Sequence, residues 1–132
     1  MPISHVIDEK QCQVHTTITG PITAKDIWDH LEVSRQKQTL GYAELIDARK
    51  AGRPFLSASE LWQTAVSIRA LKLPALYGPR AIVVADDTVY ALSCLFAVGL
   101  MDLVSVSVFR NLRSAESWLD WHTEREGTAA TT

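Results

Sequence analysis

Three aspartates raise the first chemical question. Asp47 stands near the end of the stretch Tyr42 to Ala48, which has Leu45 and Ile46 at its centre, and Asp86 and Asp87 follow Arg80-Ala81-Ile82-Val83-Val84-Ala85. If both runs are parallel strands, these carboxylates sit at the strands' C-terminal ends, the edge where open α/β sheets bind ligands. Carboxylates converging there can hold Mg²⁺ or raise one another's pKa. Asp is also a preferred helix N-cap on backbone grounds alone. The simpler reading, which we favour, makes Asp86 and Asp87 cap and turn residues and has Asp47 bonding a loop.

Ser57-Ala58-Ser59-Glu60 offers two hydroxyls at a helix start. Either serine could take a phosphate, because a dianion is tolerated at the positive end of a helix. A capping box of Ser57 and Glu60 explains the same residues without modification. Arg49, Lys50, Arg53 and Arg80 are expected near the same sheet edge as the acids, so Asp47, Arg53 and Asp86 are candidate contacts for an anion or other ligand. A solvated basic loop is the plainer account. A phosphoacceptor receiver domain needs a lysine after its last strand; this chain has Arg110 there, and the spacing of its acids does not fit.

His5, His15, His30 and His122 lack the spacing of a zinc site, so no metal is expected. Gly-x-Ser-x-Gly, Gly-x-Gly-x-x-Gly and the P-loop are missing. No nucleophile or cofactor motif supports an enzyme, and a non-enzymatic role is expected.

The elements that must place these residues follow from patterning. Arg80 to Asp87 is apolar through its centre without alternation, as in a strand covered on both faces within a parallel sheet. Ile3 to Ile7 and Cys12 to Thr19 read as a hairpin. In its second strand Cys12, Val14, Thr16 and Ile18 share one face, and Gln13, His15, Thr17 and Thr19 the wetter one. Gly20-Pro21 ends it. Thr23 and Asp26 open a helix to about Gln38, carrying Ala24, Ile27, Trp28 and Leu31 at helical spacing. The Ser57 helix carries Leu61, Trp62, Ala65, Ile68 and Leu71. Val104, Val106 and Val108 alternate with Ser105 and Ser107 as a last strand with one polar face. Ala115, Trp118, Leu119 and His122 mark a final helix. Residues 127–132 have nothing to bury and are expected to be a disordered tail beyond a single domain, 1–126.

The apolar run Val89 to Met101 is the most unusual stretch. Its Ala, Leu and Met content favours helix, and it is too short for the ~20 residues of a membrane span. It is apolar nearly all round, whereas surface helices normally keep a polar stripe. Val89, Leu92, Leu95, Phe96 and Leu100 are therefore candidates for a homodimer contact or for the wall of an apolar pocket.

The bulk numbers agree with a small globular domain. The chain has 132 residues, 47% hydrophobic and 21% charged, with mean hydropathy +0.03. A net charge of −2 gives no pull toward nucleic acid or anionic membrane. Cys12 and Cys94 do not form a disulfide framework, and no signal peptide opens the chain, so a cytoplasmic setting is expected.

The order of elements, with particular residues, resembles the SpoIIAA-like branch of the STAS superfamily. The matching features are the N-terminal strand pair entering Gly20-Pro21-Ile22-Thr23, then Leu45-Ile46-Asp47, Arg80 to Asp86, and Val108-Phe109-Arg110-Asn111 leading into Ala115 to Leu119. The resemblance spans Ile3 to about Trp121. It implies an α/β domain: a mixed, mostly parallel sheet of about five strands, with an N-terminal hairpin and four flanking helices. It also implies a bacterial binding or regulatory module acting through protein contacts. In the superfamily's anti-sigma-factor antagonists, a serine at a helix start is phosphorylated, the place held here by Ser57 and Ser59. Their Asp-Ser-Ser-Gly pattern is absent. The leading expectation is thus a regulatory module, dimeric through the apolar helix. The alternative is a carrier or sensor of a small apolar or anionic, lipid-like ligand.

Overall fold

The protein is described by a computed structural model, which covers residues 2–71 and 77–131, with side chains through residue 124. Its elements are β1 (Ile3–Asp8), β2 (Gln13–Gly20), α1 (Ala24–Gln36), β3 (Ala43–Ala51), α2 (Ala58–Ala70), β4 (Arg80–Val83), α3 (Asp87–Gly99), β5 (Val106–Phe109) and α4 (Leu112–Thr131). The segment 127–132, expected as a tail, lies outside the residues whose side chains are described; the α4 backbone reaches Thr131.

Local chemistry sets the boundaries. Asp8 accepts the Gln11 N–H at 3.1 Å in the β1–β2 turn, and Gly20 leaves β2 at φ 71, a conformation glycine adopts without penalty. Thr23 and Asp26 form a complete capping box on α1, and Ser57 and Glu60 form another on α2. Past α1, Gln38 takes φ 59 and turns the chain toward β3.

The strands lie in the order β1-β2-β3-β4-β5, with β1 antiparallel to β2 and every other pair parallel. The helical crossovers explain that arrangement, since parallel neighbours cannot be joined by a tight turn. All four residues of β4 are buried, as a doubly covered strand requires. Ala43, Leu45, Ala81 and Val83 face α4 and pack with Ala115 and Leu119. Ile46 and Ile82 take the opposite face, among α1, α2 and α3.

Two local expectations are corrected. Arg49 to Ala51 belong to β3, not to a free loop. The Ser107 side of β5 is not a wet face, because Ser107 lies beside fully buried Ala81 on the side covered by α4.

Helix α3 departs from a normal surface helix, as its sequence requires. Val89 and Ser93 are buried, Leu92, Leu95 and Phe96 are half-buried, and Leu100 caps the helix as a buried residue. Val98 remains 51% exposed and Met101 56%. Helices α2 and α3 meet at Gly99, where an added Cβ would fall 2.6 Å from the Ala65 Cβ. Arg69 Nη1 donates to the Met101 carbonyl at 2.7 Å across the same junction.

Candidate functional site

The larger voids lie on the three-helix side of the sheet; the α4 side has a small one, of about 30 Å³, beside Ala43, Leu45 and Leu119. Two adjoining cavities, of about 120 and 110 Å³, lie between the sheet and α1, α2 and α3. They share Ile27, His30, Ile46, Ile82 and Phe96 as lining. The first extends toward Leu31, Ile68, Tyr77 and Leu100, and the second toward Ile18, Ile22, Phe55 and Ser93.

Strand register places a polar cluster in this apolar surround. Val14, Glu44, Arg80 and Val106 form one row across the sheet, so Glu44 and Arg80 are direct neighbours on adjacent strands. Alternation along β3 sends Ala43 and Leu45 toward α4 and Glu44 the other way. Glu44 is 4% exposed. Its Oε1 lies 3.1 Å from Arg80 Nε, and its Oε2 accepts from Thr16 Oγ1 at 2.5 Å and lies 2.7 Å from His30 Nε2. The rest of the Arg80 guanidinium is held by main-chain oxygens: Nη1 donates to Tyr42 at 2.7 Å and Gly78 at 2.8 Å, and Nη2 to Leu40 at 2.9 Å.

Burial alone would raise the Glu44 pKa. The His30 hydrogen bond, the Arg80 charge and the Thr16 hydroxyl outweigh it and bring the pKa down to about 2. The carboxylate is therefore ionised inside the fold. His5 makes an edge contact with His30 at 5.6 Å, and its pKa is lowered by burial and by the neighbouring His30 and Lys37.

The residues singled out in the sequence fall elsewhere. Asp47, Asp86 and Asp87 do not converge on one site, because each is occupied by a different arginine. Asp47 pairs with Arg49 at 2.7 Å, Asp86 with Arg53 at 3.7 Å, and Asp87 with Arg110 at 2.6 Å. The Arg49 hydrogen bond holds the Asp47 carboxyl below its ordinary range. Asp86 is the N-cap of α3; the Val89 and Thr88 N–H groups lower its pKa. Ser57 is likewise engaged as a cap, accepting from Glu60 N at 3.1 Å, and Ser59 is exposed. Arg80 is not part of a basic patch. It opens β4 at the opposite sheet edge and is buried, because only its pairing with Glu44 and three carbonyls makes that position tolerable. Of the apolar candidates, Phe96 lines both cavities and Leu100 the first. Val89 packs under Ile82 and Val84, and Leu92 joins the cluster of Ile22, Leu56 and Leu61.

Among the described residues, no group of three or more His, Cys, Asp and Glu side chains is placed to hold a metal ion. No helix among them is long and apolar enough to cross a membrane.

The backbone arrangement matches a crystal structure of an uncharacterised protein of the DUF3478 family, with a SpoIIAA-like fold, from Shewanella loihica PV-4. The TM-score is 0.58 over 89% of this chain and 93% of that one, at 17% sequence identity. This chain has a SpoIIAA-like fold. No family model and no curated protein matches it. On this SpoIIAA-like frame the hairpin supplies Thr16, the first crossover helix His30, and the two inner parallel strands Glu44 and Arg80. Sequence reasoning missed the cluster. Its signals were an acid inside the run Ala43 to Ile46 and a histidine on the Ile27–Leu31 face of α1.

Proposed function

We propose that this protein is a non-enzymatic binding module that holds a small apolar molecule between the sheet and α1, α2 and α3, as a carrier or sensor. One observation supports this reading: the adjoining cavities, walled by Ile27, Ile46, Ile82 and Phe96, lie beside a polar cluster already satisfied by its own members. Close packing is the rule in protein interiors, and apolar voids of this order accept small hydrocarbons. Satisfied polar groups at the wall hold the cavity open without competing for the occupant.

The reading is tested with benzene and n-octane, followed by NMR shifts of the Ile46 and Ile82 methyls, and by native mass spectrometry of gently purified protein. Saturable shifts are expected in the wild type. They should be lost in Ile46→Phe, which fills the shared wall, and reduced in Ser93→Leu, which encroaches on the second cavity. A wild type with no saturable shift and no retained mass would sink the reading.

A second reading rests on a different surface. Trp62 and Val66 of α2 are 43% and 47% exposed, and Val98 of α3 and Met101, just past its end, are exposed as well. Large apolar side chains left exposed on the two packed helices support a homodimer or a protein partner. Light scattering should give twice the chain mass, reverting to the monomer in the Trp62→Glu, Val98→Glu double variant. A monomer at all concentrations would remove self-association.

A further inference from the structure

We propose that α1 is a lid over the second cavity, latched to the sheet by His30 on Glu44, and that an apolar guest enters through the surface groove between α1 and β1. This rests on the reading of the cavities as a ligand site and adds how access to that site is controlled.

The route is read from the walls. A groove of about 110 Å³ lies at the surface between β1 and α1, bordered by His5, Val33 and Asp29, whose side chain is 53% exposed. The second cavity, also about 110 Å³, lies behind it. Groove and cavity have two lining residues in common, Ile3 of β1 and His30 of α1. These two side chains therefore form the partition between outside and inside. One of them stands on a margin of the sheet, because β1 is an edge strand paired with β2 alone.

Helix α1 is the most loosely seated of the three helices over the cavities. Its apolar residues Ala24, Ile27, Trp28, Leu31 and Val33 are all only half-buried, and its one buried residue is Ser34. Helix α2 sinks Leu61, Ala65 and Ile68, and α3 sinks Val89 and Ser93. Lifting α1 uncovers less apolar surface than lifting either neighbour, and segments of that kind open locally. Several polar contacts of α1 stay within the helix: Lys25 to Asp29, and Arg35 and Gln36 to Glu32. His30 instead reaches the sheet, with Nε2 2.7 Å from the Glu44 carboxylate on β3. That carboxylate is ionised and can only accept, so Nε2 carries the proton and donates. The bond ties the helix down at the partition itself.

Two measurements on the full chain test this. Amide hydrogen exchange in low urea, without ligand, reads the opening of each helix. The α1 amides should exchange at least about tenfold faster than those of α2, with less than about half the urea dependence, because the lid lifts without unfolding the core. His30→Ala should speed the α1 amides by about tenfold or more, the equivalent of one hydrogen bond to a charged group. NMR exchange spectroscopy with n-octane then gives entry and release rates, read at the methyls of Ile18 and Ile22, which line the second cavity and not the first. His30→Ala should speed both rates. Val33→Trp fills the groove from a position that lines neither cavity, and should slow both by about fivefold with Kd held within about twofold. If α1 and α2 share one rate and one urea slope, or Val33→Trp leaves the octane rates untouched, the lid is overturned while the cavity reading stands. Unchanged α1 exchange in His30→Ala overturns the latch; should that variant fail to fold, the wild-type slopes and Val33→Trp decide alone. If n-octane does not bind the wild type at all, the cavity reading fails and this inference with it.

Discussion

Glu44→Gln is expected to destabilise the protein by about 3–5 kcal/mol, the usual effect of removing one partner from a buried ion pair. Glutamine keeps the volume and can still meet Thr16 and His30. It cannot neutralise Arg80, which stays buried with three carbonyls and no counter-charge. A domain of this size holds only about 5–15 kcal/mol in total, so the variant sits close to unfolding at room temperature. Urea denaturation with linear extrapolation measures the loss. Replacing both partners with apolar residues should recover only part of it, because the carbonyls of Leu40, Tyr42 and Gly78 then lose their donor.

The same carboxylate sets an acid limit. Folding takes its pKa from 4.5 to about 2. A group depressed in this way contributes its full stabilisation above pH 4.5 and loses it as pH falls toward 2. The depression corresponds to about 3 kcal/mol, in line with the mutational figure. Stability of the wild type should therefore fall across that window, and Glu44→Gln should flatten the fall. A wild type and variant with parallel acid profiles would show that Glu44 is not ionised in the fold.

Gly78→Ala is the second large effect, at about 3 kcal/mol. A Cβ there would lie 2.5 Å from the Gly41 carbonyl oxygen and closer still to that of Tyr42. Neither neighbour is a flexible side-chain end, so the backbone itself must move. The Gly78 N–H donates to the Leu40 carbonyl at 2.9 Å, and both the Gly78 and Tyr42 carbonyls accept from Arg80. Displacing this strip disturbs the seat of the guanidinium as well as the packing. Gly20→Ala is the contrast. Gly20 has φ 71 with open space around it, so alanine there meets only backbone strain of about 1 kcal/mol. Thermal unfolding of the two variants side by side measures the difference; equal losses would mean that Gly78 acts only through its own flexibility.

The layout was legible because its signals are local. Capping boxes at Thr23–Asp26 and Ser57–Glu60 involve residues three apart, and the alternation of Val14, Thr16 and Ile18 needs only one strand. The apolar stretch of β4 announced its double cover in the same way. The cluster was not legible because its members come together only through register. Thr16, His30, Glu44 and Arg80 lie on four different elements, and no short-range spacing relates them. Arg80 in particular resembled its exposed neighbours in type. Only its place opposite Glu44 on the adjacent strand turns it from a surface cation into a buried one. The favoured reading of the aspartates as cap and turn residues agrees with Asp86 as the N-cap of α3, but the arginine beside each was not legible: Arg49 lies two residues on within β3, and Arg53 and Arg110 are brought to Asp86 and Asp87 by the fold.

The uneven filling of the two sheet faces has a mechanical consequence. A body with larger voids under α1, α2 and α3 than under α4 can shrink when its chain opens and water fills them, so hydrostatic compression drives it toward the unfolded ensemble. Its squeezable half is also the half that a guest would stiffen.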